Sequence, residues 1–225
     1  VLDSTGTVVE EWISTEEPHM IRGLLVGETY ILVETKPADG YTTAESIEFK
    51  VEDTAEVQKH QMLDDVTKVE ISKTDMTDSK EVPGAKLTIL DKDGKVVESW
   101  VSDKDPHMVE KLPVGTYTLR EEQAPDGYLV AEEVSFEVKD TGEIQKVEMK
   151  DARPTGKLIL KKTDAEDGSP FAGAEFELRI KKSGKVVATL VTDEEGVATS
   201  GDIPIATYKD GKMKKEIEYI LVETK

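Results

Sequence analysis

Tyr117-Thr118-Leu119-Arg120-Glu121-Glu122-Gln123-Ala124-Pro125-Asp126-Gly127-Tyr128 sets the frame for the whole chain, because it recurs as Tyr30–Tyr41 (YILVETKPADGY) and begins again at Tyr219 (YILVETK). In a strand, successive side chains point to opposite faces. Each copy therefore places Tyr, then Leu, then Glu on one face, and a Pro/Gly turn with a second Tyr follows in the two complete copies. A carboxylate thus stands where the alternation calls for an apolar side chain, at Glu34, Glu121 and Glu223 alike. A repeat of this spacing is long for a solenoid and suits small β-domains, each with its own core.

Around that frame the chain of 225 residues divides into three units. Residues 1–65 match the second unit from Val8-Val9-Glu10-Glu11-Trp12 (compare Val96-Val97-Glu98-Ser99-Trp100) and Pro18-His19-Met20 (compare Pro106-His107-Met108), but have almost no counterpart of Val69 to Leu90. This reads as a partial unit without its first strands. Residues 66–151 form a complete unit. Residues 152–225 open with Leu158-Ile159-Leu160-Lys161-Lys162-Thr163-Asp164, a copy of Val69-Glu70-Ile71-Ser72-Lys73-Thr74-Asp75, and stop just after Glu223, without closing strands. The chain is expected to be an interior piece of a longer protein. The segment Gln61-Met62-Leu63-Asp64 is expected to be a strand running almost directly into Lys68, so that the units follow end to end.

Segments rich in Val, Ile, Thr and Tyr are broken by turn signals at Val82-Pro83-Gly84, Asp93-Gly94, Asp126-Gly127 and Thr141-Gly142, which favours an all-β, antiparallel sandwich. In Val134-Ser135-Phe136-Glu137-Val138 the apolar and polar faces alternate cleanly.

A net charge of -19 sets nucleic acids and anionic membranes aside as partners. No run of about 20 apolar residues is present to span a bilayer. Charged residues make up 34% of the chain and Phe only 4 positions, so the cores must be lean, and small lean domains need a staple. With no cysteine, a disulfide is not available.

Parity supplies another candidate. Lys73 shares the inward phase of Val69 and Ile71, Glu121 that of Tyr117 and Leu119, and Asp151 that of Val147 and Met149. Each strand could simply leave the core there, its charged end reaching water. Three such residues in one unit, with partial copies at Lys162, Glu34, Glu223 and Asp64, favour a buried cluster instead. An ionised cluster of this kind is costly to bury, so burial favours a neutral amine beside a protonated carboxyl. A neutral amine is a nucleophile. Attack of Lys73 on the Asp151 carboxyl, with Glu121 as general acid/base, releases water and leaves a neutral amide.

Val69-x-Ile71-x-Lys73-x-Asp75, Pro83-Gly84-Ala85, Tyr117-x-Leu119-x-Glu121-x-x-Ala124-Pro125-x-Gly127-Tyr128 and the terminal Asp151 resemble the collagen-adhesin B-type (Cna-B), or Spa-like, domains of Gram-positive surface proteins and pilins. The resemblance spans all three units. It implies tandem prealbumin-like sandwiches of Greek-key, immunoglobulin-like type on the cell wall. It also implies a self-formed isopeptide between first and last strands, catalysed by the Glu. The family's acceptor is more often Asn, whereas this chain has Asp151 and Asp64, so water rather than ammonia would leave. Only residues 66–151 hold all three groups. A covalent loop from residue 73 to 151 is worth about 4 kcal/mol by the chain-entropy model, and it would divert tension around most of the fold.

The expected role is a structural stalk, with neighbouring repeats of the same protein as partners and no cofactor. The alternative is an adhesin module contacting a host protein or glycan through loops at the sandwich ends. For that reading the locally basic stretch Ala206 to Lys215 is the segment of interest. No metal site is expected: Asp91-Lys92-Asp93-Gly94 lacks the remaining ligands of a calcium loop, His19 and His107 are copies of one another, and His60 stands alone. Trp12 and Trp100 recur in the same way and read as packing residues. No Ser/His/Asp set, phosphate loop or Cys nucleophile points to a turnover enzyme.

Overall fold

A computed structural model describes all residues 1–225. The chain is all-β, with antiparallel sheets in tandem arrays. In chain order the strands are β1 (Thr29–Leu32), β2 (Ile47–Lys50), β3 (Lys68–Asp75), β4 (Lys86–Leu90), β5 (Val96–Val101), β6 (His107–Glu110), β7 (Gly115–Gln123), β8 (Val134–Val138) and β9 (Ile144–Asp151). There follow β10 (Thr155–Gly156), β11 (Ile159–Lys161), β12 (Glu175–Ile180), β13 (Val186–Val191), β14 (Val197–Thr199), β15 (Ile203–Pro204), β16 (Ala206–Lys209), β17 (Lys212–Glu216) and β18 (Tyr219–Glu223).

Strands β3 to β9 make two sheets, ordered β6-β3-β9 and β5-β4-β7-β8. Alternation explains their burial. Val69, Ile71 and Lys73 of β3, and Tyr117, Leu119 and Glu121 of β7, are buried, with partly exposed residues between them; on β9 the buried pair is Met149 and Asp151. Across the β4–β7 ladder Ile89 pairs with Leu119, and Leu87 pairs with Glu121.

The chain forms two compact units. The first comprises Val1–Ile71, Met108–Tyr117 and Phe136–Val147. Within it β1 pairs with β2, with Tyr30 opposite Phe49, and that pair of rings stacks at 6.0 Å. Gly40 has φ +83°, and a Cβ there would meet the Lys111 carbonyl oxygen at 2.4 Å, so only glycine fits this turn. Thr67, fully buried, donates to the Leu112 carbonyl at 2.6 Å.

The second unit comprises Ser72–His107, Thr118–Ser135 and Glu148–Lys225. Here β12 lies between β13 and β18, over a small core of Ala174, Phe176, Leu190 and Ala198. The hairpin β16–β17 is exposed along β17, but its tip is engaged: Gly127 N–H donates to the Tyr208 carbonyl, and Gln123 donates to Asp210 at 2.6 Å.

Two expectations about strands change. Gln61–Asp64 forms no strand, and Leu63 is 76% exposed. A strand exists through a partner's amides and carbonyls, and no ladder forms beside this segment. The copy of β3 at Leu158–Asp164 narrows to β11, followed by an isolated bridge from Thr163 to Pro170.

Candidate functional site

Three strands bring Lys73, Glu121 and Asp151 together. Lys73 is on β3 and Asp151 on the neighbouring β9, while Glu121 comes from β7 in the other sheet. Their exposures of 1%, 4% and 0% put all three inside the sandwich. The Lys73 Nζ donates a short hydrogen bond to Asp151 Oδ1 and lies 3.3 Å from Glu121 Oε1. That second approach is close enough for an ion pair yet poorly aligned for a hydrogen bond, because Glu121 Oε1 has no hydrogen-bond partner.

Asp151 Oδ2 is likewise buried without a partner. Two unpaired buried acceptors would ordinarily be expensive. One proton placed on either carboxyl and shared with the other would satisfy both. The electrostatics point the same way: burial pushes the Asp151 carboxyl up to about 6, against the opposing pull of the Lys73 ammonium, and Glu121 adds to the rise through its charge and through hydrogen bonding. The Asp151 proton is thus held well above the ordinary carboxylate range.

Glu121 is fixed from its other side, where Oε2 accepts the Ala131 amide at 2.6 Å. The loop that supplies Ala131 follows the Ala124-Pro125-Asp126-Gly127-Tyr128 turn. Turn and carboxylate therefore form one device, which aims a single oxygen at the amine. The Lys73 amide in turn donates to Glu81 at 3.0 Å.

The copies in the flanking residues are not assembled in this way. Glu34 is half-buried and accepts the Ala44 amide at 2.8 Å, the same ten-residue relationship as Glu121 with Ala131. Asp64 is exposed. Lys162 pairs with Glu223 at 2.9 Å, with side chains 33% and 44% exposed.

Next to the buried trio lies a second cluster to which the sequence alone assigned no role. Asp75, only 2% exposed, accepts from the Thr77 amide at 2.7 Å and from the Tyr128 hydroxyl at 2.8 Å, and Arg153 Nε approaches it to 2.6 Å. Arg153 also donates to the Tyr128 oxygen and lies over its ring, 5.0 Å from the centroid. Parity places Asp75 on the Lys73 face, and that was the available signal. Arg153 lies beyond β9, where strand alternation carries no information.

The recurring Trp and His residues stack on one another. Trp12 on His19 and Trp100 on His107 have centroids at 4.4 and 4.3 Å, and the imidazoles hydrogen-bond Glu10 and Glu98. His60 lies against Phe49. No helix is long and apolar enough to cross a membrane.

A family model described as SpaA, prealbumin-like fold domain, matches residues 67–153 and again 156–225. Among solved structures, the Bacillus anthracis TIE protein is 29% identical, with 88% of this chain and 39% of that chain covered and a TM-score of 0.45. This chain thus spans about two fifths of that protein's length. A streptococcal ancillary pilin is 16% identical, covering 89% of this chain and 73% of the other, with a TM-score of 0.36. BcpA, the major pilin subunit of Bacillus cereus, is 15% identical, covering 71% and 95%, with a TM-score of 0.35. The comparison with curated proteins gave no match.

Proposed function

The chain belongs to the SpaA prealbumin-like domain family, and from that premise we propose that it is a structural stalk segment of a bacterial surface protein, stapled by an amide between Lys73 and Asp151. In this reading residues 66–151 are one complete sandwich, flanked by partial units at 1–65 and 152–225. Its partners are neighbouring repeats of the same protein, and its place is the outside of a Gram-positive cell wall. It performs no turnover; its one reaction is on itself.

The observation that carries the proposal is the enclosure of one amine and two carboxyls from three strands, with the amine hydrogen-bonded to the Asp151 carboxyl. Transfer of the Lys73 proton to Asp151 gives a neutral amine facing a carboxylic acid. The amine lone pair attacks the Asp151 Cγ, and the carbonyl electrons move onto oxygen. Glu121 Oε1 takes a proton from the nitrogen and returns it to the departing hydroxyl, so that one water leaves and Glu121 ends unchanged. Confinement of the groups supplies the effective concentration the reaction needs. The product is neutral, which removes the cost of the buried charges.

The adhesin reading gains no support from the basic hairpin at β16–β17, whose tip is held by Gly127 and Gln123.

The test is the intact mass of the purified chain under denaturing conditions. We expect a deficit of one water, with the linked peptides mapping to Lys73 and Asp151, and the full mass in Glu121→Ala. A wild-type chain of full mass would end the proposal.

A further inference from the structure

We propose that Asp75, Tyr128 and Arg153 form a positioning clasp for the same reaction: it seats the Asp151 carboxyl against the Lys73 amine, and Arg153 offsets a buried negative charge that would otherwise hold that amine as ammonium. The inference rests on the cross-linking reading above.

Asp75 lies two residues beyond Lys73 on β3, and Arg153 two residues beyond Asp151. The period of two puts Asp75 on the Lys73 face, and Arg153, past the end of β9, reaches Asp75 with its Nε, so their ion pair stands beside the contact between Lys73 and Asp151. The backbone is fastened at the same place from two sides. The Met76 amide donates to the Asp151 carbonyl at 2.9 Å, and the Leu129 amide donates to the Ala152 carbonyl at 3.1 Å. Tyr128, next to Leu129, closes the clasp by donating to Asp75 and accepting from Arg153. Because the same loop gives the Ala131 amide to Glu121, one short segment orients the acid/base and the acceptor strand together.

The charges explain why the clasp is ionic rather than apolar. Burial pushes the Asp75 carboxyl up, but the Thr77 amide, the Tyr128 hydroxyl and the Arg153 guanidinium together hold it below its ordinary range, so it stays an anion. An anion on the Lys73 face favours ammonium over amine. Arginine is a fixed counter-charge because it does not lose its proton at any working pH. The remaining ionisable groups around Asp75 line the adjoining groove: Asp78, Lys80, Glu81 and Asp126. The groups facing the amine itself are Glu121 from β7 and Asp151 from β9.

The experiment follows bond formation in the whole chain, made by cell-free synthesis, quenched in denaturant at intervals and weighed intact. Arg153→Gln is expected to slow water loss about tenfold near neutral pH, the effect of a one-unit change in proton affinity on the reactive fraction. Its rate profile should move to higher pH. Adding Asp75→Asn to Arg153→Gln removes the uncompensated charge, and should restore the profile and most of the rate. Tyr128→Phe keeps the ring and the ion pair while losing the hydroxyl, and should slow the reaction about threefold, by roughly half of a neutral hydrogen bond's typical contribution. Wild-type rate and profile in Arg153→Gln would overturn the proposal. So would slowing with an unmoved profile that the double variant does not relieve, since that marks a purely structural role. If the wild-type chain itself loses no water, the cross-linking reading has failed; if it does and Arg153→Gln matches it, only the clasp has.

Discussion

Lys73 with Glu121, and Lys162 with Glu223, are the same two letters of one repeat, yet the first pair is sealed in a sandwich and the second is half-exposed. The lysine exposures, 1% against 33%, state the difference. In the half-exposed pair a 2.9 Å contact competes with solvent, and the pair contributes little. In the buried trio a second carboxyl joins and the groups are enclosed, so the proposed amide would remove charges that solvent does not screen. On the proposed reading, burial and a third partner, rather than the Lys/Glu pair itself, are what would make the site reactive. Glu34 shows that the repeat keeps the carboxylate's anchor. It accepts Ala44 as Glu121 accepts Ala131, although no lysine of its own unit is there to be activated.

The strongest way to break the contrast is Lys73→Met, which keeps the volume of the stem and removes the nucleophile. The mass deficit should vanish. Losing the covalent loop should cost about 4 kcal/mol, and the melting temperature of the β3–β9 sandwich should drop on the order of 20 °C by the usual scaling for a domain of this size. Calorimetry beside the wild-type chain checks this. A change of only a few degrees would mean that the staple does not govern stability.

The same variant sharpens the electrostatic half. With Lys73 gone, burial and Glu121 still raise the Asp151 carboxyl, and the ammonium that opposed them is absent. Its folded value therefore lies above about 6, while the unfolded chain titrates near the ordinary 3.8. A raised folded value means that the proton stabilises the fold. This contribution is complete below the unfolded value, declines as pH rises from about 4, and is lost once pH passes the folded value. Urea midpoints of Lys73→Met should therefore fall between pH 4 and pH 6 and continue to fall just above it. Adding Asp151→Asn should flatten that slope. If the wild type is cross-linked as proposed, its Asp151 has no carboxyl left to titrate and it should lack this slope too.

Much of this contrast was legible from parity. The period of two carries Lys73, Glu121 and Asp151 to the inner face because each ends a row of apolar residues on a regular strand, and β3, β7 and β9 are long enough for the count to hold. It fails where regularity stops. Gln61–Asp64 has no partner to pair with, so this segment yields no strand. Arg153 follows the end of β9, and its reach to Asp75 depends on how the chain turns there. Composition likewise marks Ala206 to Lys215 only as locally basic and does not reveal that Gly127 and Gln123 hold the tip of the β16–β17 hairpin. Nor does phase separate Lys162 from Lys73: one shares the parity of Leu158 and Leu160, the other that of Val69 and Ile71, yet their exposures differ.

That last point sets the smallest expected effect. Lys162→Met removes one partner of a half-exposed ion pair, and such pairs are worth about 0–1 kcal/mol. Its denaturation midpoint should match the wild type within that range, and the same variant should leave the mass deficit unchanged, since the reactive amine is elsewhere. Peptide mapping of the wild-type chain should return the Lys162 peptide unlinked. A linked Lys162 would mean that a half-exposed lysine reacts, and that enclosure is not what separates the two sites. A large loss of stability without a link would mean instead that the exposed pair is carrying part of the fold, and the distinction between them would have to rest on the second carboxyl alone.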